Sequence, residues 1–186
     1  MMQINDFQKA ITDKHIILDS NILIKAFQNK ECFKEFFIFL KKSNCSIANS
    51  ELVNFEFTRN DYEPDHINQK QQFLSNINAL MLTIKSDLLE EALKIAKIYS
   101  HQGVRDGKIS LVDCCLGALL KQYGEKLFLA TINHSDFPTC LFDLEYIFPV
   151  DTNKDVFLVA FYRFNNEKWK KLEGKLKKLE LSQKKD

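Results

Sequence analysis

The strongest constraint on this chain is an alternation. Short apolar runs at Ile16–Leu18, Cys45–Ala48, Met81–Ile84, Leu127–Ile132 and Tyr146–Val150 are separated by stretches with helical spacing. The runs do not alternate apolar with polar, which is the pattern of strands buried on both faces. Between them, Phe33, Phe36, Phe37 and Leu40 fall at i, i+3, i+4 and i+7, and Leu89, Ala92, Leu93 and Ala96 repeat that spacing. Leu111, Cys115, Ala118 and Leu119 line a further helix, predicted to close near Gly124, where a residue with positive φ caps at least cost. Strands joined by helices imply right-handed crossovers and an α/β fold with a mainly parallel sheet covered on both faces.

The polar stretch from Asn60 to Gln72 around Pro64 reads as a loop leading into a helix. After Pro149 the pattern changes. VFLVAFYRF, residues 156–164, predicts an edge strand, with a short helix as the alternative. Trp169, Leu172, Leu176 and Leu179 then form a helical stripe in a lysine-rich segment weakened by Gly174. The expected organisation is one domain over residues 1–150 and a strand-and-helix extension over 151–186 packed on it.

A chain of 186 residues, 45% hydrophobic, holds enough apolar material for one core. No apolar run approaches the roughly 18 residues of a spanning helix, and the start MMQINDFQKA lacks the basic and apolar regions of a signal peptide. A cytoplasmic location without membrane contact is expected. The five cysteines are odd in number and form no CxxC pair, so they read as reduced thiols rather than zinc ligands. The net charge of +1 hides a segregation: residues 165–186 carry eight lysines and four acids, and the rest of the chain is net −3.

In a doubly wound sheet, ligands sit at the carboxyl ends of the strands. Asp19 in HIILDSN ends the first apolar run, so it either faces that position or caps the next helix. Three more acids stand at comparable junctions: Glu56 in SELVNFEF, Asp113 in ISLVDCCLGALL and Asp136 in LATINHSDF. Each has a structural alternative, namely a surface glutamate, a capping box from Ser110 to Asp113, and a turn at Asp136. Four carboxylates meeting at one end of a sheet would raise one another's pKa values unless a cation joined them, and an all-oxygen donor set favours Mg²⁺ or Mn²⁺ over Zn²⁺.

These four motifs, in this order along residues 15 to 150, resemble the PIN-domain nucleases, a family that includes the toxins of bacterial toxin–antitoxin pairs. The closing Thr131-x-Asn133-x-x-Asp136-Phe137 segment is the most specific piece. The resemblance implies a three-layer α/β/α sandwich and a Mg²⁺- or Mn²⁺-dependent endoribonuclease that hydrolyses RNA with a metal-activated water. It also implies a frequent homodimer and an antitoxin partner. Carried over by position, Asp19, Glu56, Asp113 and Asp136 are the catalytic and metal-ligating acids, with Asn21, Thr131 and Asn133 as supporting polar groups. Lys14, Arg59, Arg105 and Lys108 are candidates for contacts to substrate phosphates.

Residues 156–186 have no counterpart in the family pattern. Their lysines with Trp169 read as an RNA clamp or, in preference, as a packed stripe with a solvated face. Two other functions compete. One is a catalytically silent PIN-like module that binds RNA or protein; the other is a phosphatase with a nucleophilic Asp19, disfavoured because Asn21 replaces its usual second carboxylate.

Overall fold

The computed structural model describes residues 2–77, 79–104, 109–152 and 154–183, with side chains to Lys178. Arg105 and Lys108, two of the candidate phosphate contacts, lie outside the described residues, as does the side chain of Leu179. The described part of the chain contains six strands and eight α-helices.

The first half runs α1 (Ile4–Ile11), β1 (His15–Leu18), α2 (Ser20–Gln28), α3 (Lys34–Lys42), β2 (Ser46–Ser50), α4 (Glu51–Thr58), α5 (Pro64–Asn76) and β3 (Leu80–Leu82). The second half runs α6 (Ser86–His101), α7 (Leu111–Tyr123), β4 (Leu127–Thr131), β5 (Phe142–Asp151), β6 (Val156–Phe164) and α8 (Asn166–Gln183). Pro64 opens α5 at its first turn, where a missing N–H costs nothing. Gly124 ends α7 with φ of 55°.

The sheet order is β3-β2-β1-β4-β6-β5. β1 pairs in parallel with β2 and β4, and β2 in parallel with β3; β6 runs antiparallel to both β4 and β5. From β1 the chain moves outward through β2 to β3, then returns to the other side of β1 to form β4. The boundary between β1 and β4 is therefore the topological switch point, where neighbouring connections leave in opposite directions and where sheets of this kind bind ligands.

The expectation of an edge strand at 156–164 does not hold. β6 is inserted between β4 and β5, and β5 is the edge. The reason lies in its side chains: Val159, Ala160, Phe161 and Tyr162 are all buried, so both faces of β6 are covered. On one face Phe161 meets Phe7 of α1 and Phe36 and Phe39 of α3, with ring centroids 4.8, 6.1 and 6.4 Å apart. On the other, Tyr162 meets Phe137 at 6.0 Å, and Phe137 packs on Phe142 at 5.4 Å. The sheet is mixed and mainly parallel.

Two smaller expectations also change. The α6 helix buries Leu88, Ala92, Ile95, Ile98 and Tyr99, leaving Leu89 and Leu93 exposed, so its inner face is rotated from the predicted stripe. Trp169 of α8 is buried against Phe164 at 5.8 Å, with the Lys121 ammonium 3.9 Å from its ring centroid. It is a packing residue, as the helical stripe implies, and is not available to stack a base. No helix among the described residues is long and apolar enough to cross a membrane.

Candidate active site

Asp19 occupies the position just before α2, yet its side chain makes no capping hydrogen bond. The carboxylate turns instead across the switch point. Its Oδ2 accepts from the Thr131 hydroxyl at 2.7 Å and from the Asn21 amide at 2.6 Å. Asn21 also donates to the Thr131 oxygen at 3.1 Å and accepts from the Ile132 N–H at 3.1 Å, and the Asp19 N–H donates to the Ala130 carbonyl at 3.0 Å. The end of β1 and the end of β4 are thus stitched by side chains as well as by the sheet. Asp19 is only 3% exposed, although a charged carboxylate loses hydration when buried.

Glu56 arrives from α4, whose start is fixed by the Ser50 hydroxyl accepting from the Val53 N–H at 3.3 Å. Its Oε2 accepts from the Ser20 hydroxyl at 2.9 Å, and the same hydroxyl lies 3.4 Å from Asp19 Oδ1. Ser20 therefore joins the two acids. In sequence a serine that opens a helix reads as a local cap, whereas the partner of Ser20 lies 36 positions away. The only sequence signal was its place between Asp19 and Asn21.

Asp113 and Ser110 form the capping box foreseen from their spacing, with the Asp113 N–H donating to Ser110 Oγ at 3.1 Å and Ser110 Oγ donating to Asp113 Oδ2 at 2.7 Å. Both readings of Asp113 are compatible, since capping occupies one carboxylate oxygen and leaves the other. Asp136 sits in a 3-10 turn after β4, only 2% exposed, and accepts from the Asn133 amide. The Asn133 N–H in turn donates to Thr131 Oγ1 at 2.9 Å, and the Tyr99 hydroxyl anchors the Asp136 carbonyl at 2.9 Å.

The electrostatics bind these groups into one cluster. Burial pushes Asp19 above the ordinary carboxylate range, against the hydrogen bonds from Thr131 and the Ser20 N–H, and the charges of Glu56 and Asp136 push the same way. Burial carries Asp113 up to about 7; the Ser110 hydrogen bond opposes this, and the charges of Asp136 and Asp19 add to it. Asp19 is the hub, coupled to each of the other three acids. The arrangement meets the charge requirement for a hard divalent ion. It is not a preformed cage: among the described residues no three His, Cys, Asp or Glu side chains stand close enough together to hold a metal ion.

The candidate phosphate contacts divide. Arg59 caps α4 one turn beyond Glu56 and is exposed. Lys14 does not belong with it. It precedes β1, its carbonyl accepting from the Ser46 N–H at 2.9 Å, so it stands at the opposite end of the strand from Asp19, about 16 Å away at the rise of an extended chain. A lysine's charge carries no information about which end of a strand it occupies. His134 is exposed, with Nδ1 3.3 Å from the Tyr162 hydroxyl and Nε2 3.1 Å from the Leu158 carbonyl, the geometry of a loop histidine.

No protein-family profile matches this sequence, and no curated protein shows significant similarity to it.

Proposed function

We propose that this chain is a metal-dependent endoribonuclease of the PIN type, folded as a three-layer α/β/α sandwich, that hydrolyses RNA phosphodiester bonds. One observation carries the reading: Asp19 at the end of β1 is joined through Ser20 to Glu56 of α4 and through Thr131 to the end of β4, and the charges of Asp19 and Asp136 act on Asp113. Such a cluster costs folding free energy unless a cation or protons offset it, so its presence favours an ion-binding role.

Asp19, Glu56, Asp113 and Asp136 are the residues that would hold Mg²⁺ or Mn²⁺, which when bound supplies Lewis-acid polarisation of a phosphate and acidifies a water ligand. Such an ion is commonly held by one or two carboxylates while water and substrate phosphate complete its shell, so a three-ligand cage is not required. The protein's own groups prepare the site. Thr131 and Asn21 fix the Asp19 rotamer, Ser20 ties Glu56 to it, and Asn133 orients Asp136. Burial pushes Asp113 up to about 7, so it gains and loses its proton in the neutral range. Arg59, one turn from Glu56 on the same helix face, is suited to a substrate phosphate. A chain of this type would pair with an antitoxin that covers the acid cluster, and would form a homodimer.

The test is cleavage of unstructured and hairpin RNA by the purified protein with Mn²⁺ or Mg²⁺. Products with 5′-phosphate and 3′-hydroxyl ends are expected. Asp19→Asn and Asp113→Asn should each lower the rate by more than about a hundredfold, beyond the range typical of outer-shell partners. Cleavage that survives both substitutions and a chelator would refute the proposal.

A second reading is favoured by the wide spacing of the acids, no three of which stand close enough among the described residues to hold an ion: a silent member of the same fold that binds RNA or protein. Titration calorimetry separates the two, because the silent module takes up no Mn²⁺ in a manner dependent on Asp19.

A further inference from the structure

The α4 helix turns Val53 and Phe57 into the core but leaves Phe55, the residue before Glu56, 61% exposed. Arg59 follows Phe55 by one helical turn, about 6 Å along the axis, and makes no ion pair among the described residues. Tyr62, 89% exposed, follows Arg59 by three residues in the segment between α4 and α5. A single exposed ring needs no explanation. Two rings and an unpaired guanidinium within eight residues, on the segment that delivers Glu56 to the acid cluster, do.

The segment is anchored from inside rather than loose. The Asp61 N–H donates to the Thr58 carbonyl at 3.0 Å, and the Asp61 carboxylate is gripped by Lys70 Nζ and His66 Nδ1, each at 2.5 Å. Lys70 is itself buried, donating to the Phe57 carbonyl at 2.5 Å with its ammonium 4.6 Å from the Phe57 ring centroid. The turn that presents Tyr62 is thereby held relative to the helix that presents Phe55.

We infer that Phe55, Arg59 and Tyr62 form a platform for unpaired nucleobases, the rings stacking on base faces and the guanidinium taking a backbone phosphate. The inference rests on the ribonuclease reading for its ligand and adds the side chains that hold the strand outside the acid cluster. Flat uncharged faces alternating with anions are what a single strand offers. A duplex hides its base faces, and an acidic peptide supplies the anion without them.

The experiment measures binding of a labelled oligouridylate of about twelve nucleotides by anisotropy, in chelator so that nothing is cut, with the full-length protein. Phe55→Ala and Tyr62→Ala are expected to weaken binding roughly tenfold each, with unchanged melting temperatures because both side chains are exposed. Phe55→Trp should restore binding, and Arg59→Ala should lower the salt dependence by about one counterion. An abasic strand of equal charge should bind the wild type as weakly as the uridylate binds the alanine variants. Alanine variants that bind like the wild type, an abasic strand bound equally well, or a wild type that binds no strand would each overturn the inference. Lack of cleavage with binding intact would sink the nuclease reading alone.

Discussion

Asp113 carries opposing demands at one residue. Its carboxylate must cap α7, which favours the charged form, yet it is buried beside two other acids, which favours the neutral one. The second demand wins, moving it from the ordinary 3.8 to about 7. An acid whose native pKa lies above its unfolded value binds more protons when folded over the interval between them. Its contribution to stability therefore falls as pH rises from about 4 to about 7 and stays low above that. Asp113→Asn removes this penalty and retains a capping oxygen. In chelator the variant should match the wild type near pH 4 and exceed it by about 4 kcal/mol at pH 8, read from urea unfolding curves. A constant difference across that range would show that burial does not perturb this acid. At this scale Asp19 and Asp113 stand out because each interrupts an apolar run at a strand or helix junction, whereas Glu56 lies inside α4 and Asp136 in a polar turn. Ser20 was not, since its role depends on Glu56, far off in sequence, and Lys14 was misread because charge does not encode which end of β1 it occupies.

Elements were legible where their hydrophobic period is unambiguous and illegible where a neighbour selects among alternatives. The segment DLLEEALKIAKI offers two overlapping stripes, through Leu88 and through Leu89, and α7 selects the first. β6 has the composition of a strand, but its interior place depends on β5 forming outside it, a pairing between residues 142–151 and 156–164 that no local pattern dictates. The same dependence on neighbours separates two glycines in helices. A Cβ on Gly117 of α7 would stand 3.1 Å from Ile95 Cδ1 and 3.2 Å from Phe142 Cζ, whereas one on Gly174 of α8 would meet nothing within 4 Å. Alanine gains nearly 1 kcal/mol of helix propensity at either position. At Gly117 the Phe142 ring, wedged between Phe137 and Phe164, has little room to yield, so overpacking outweighs that gain. Gly117→Ala should cost about 1 kcal/mol and Gly174→Ala should stabilise by about 0.5 kcal/mol, both measured by chemical denaturation.

Across the whole molecule the acid cluster and the tail carry opposite charge, with lysines concentrated in α8 and Asp19 and Asp136 at the carboxyl ends of β1 and β4. A divalent ion that binds the native acid cluster and not the unfolded chain raises stability by RT ln(1 + [L]/Kd), about 2.7 kcal/mol at a hundredfold excess over Kd. For a chain of this size that amounts to a rise in melting temperature of roughly 5–10 °C. Protons compete at Asp113, so the rise with Mn²⁺ should be larger at pH 8 than at pH 6. Asp19→Asn removes the group coupled to the other three acids and should abolish the rise, while its own melting temperature in chelator should not fall, because the burial penalty on the charge goes with it. Differential scanning calorimetry at both pH values, with and without Mn²⁺, reads all of these shifts. An equal rise in wild type and Asp19→Asn would assign the ion to acids elsewhere on the surface and leave the acid cluster a structural feature.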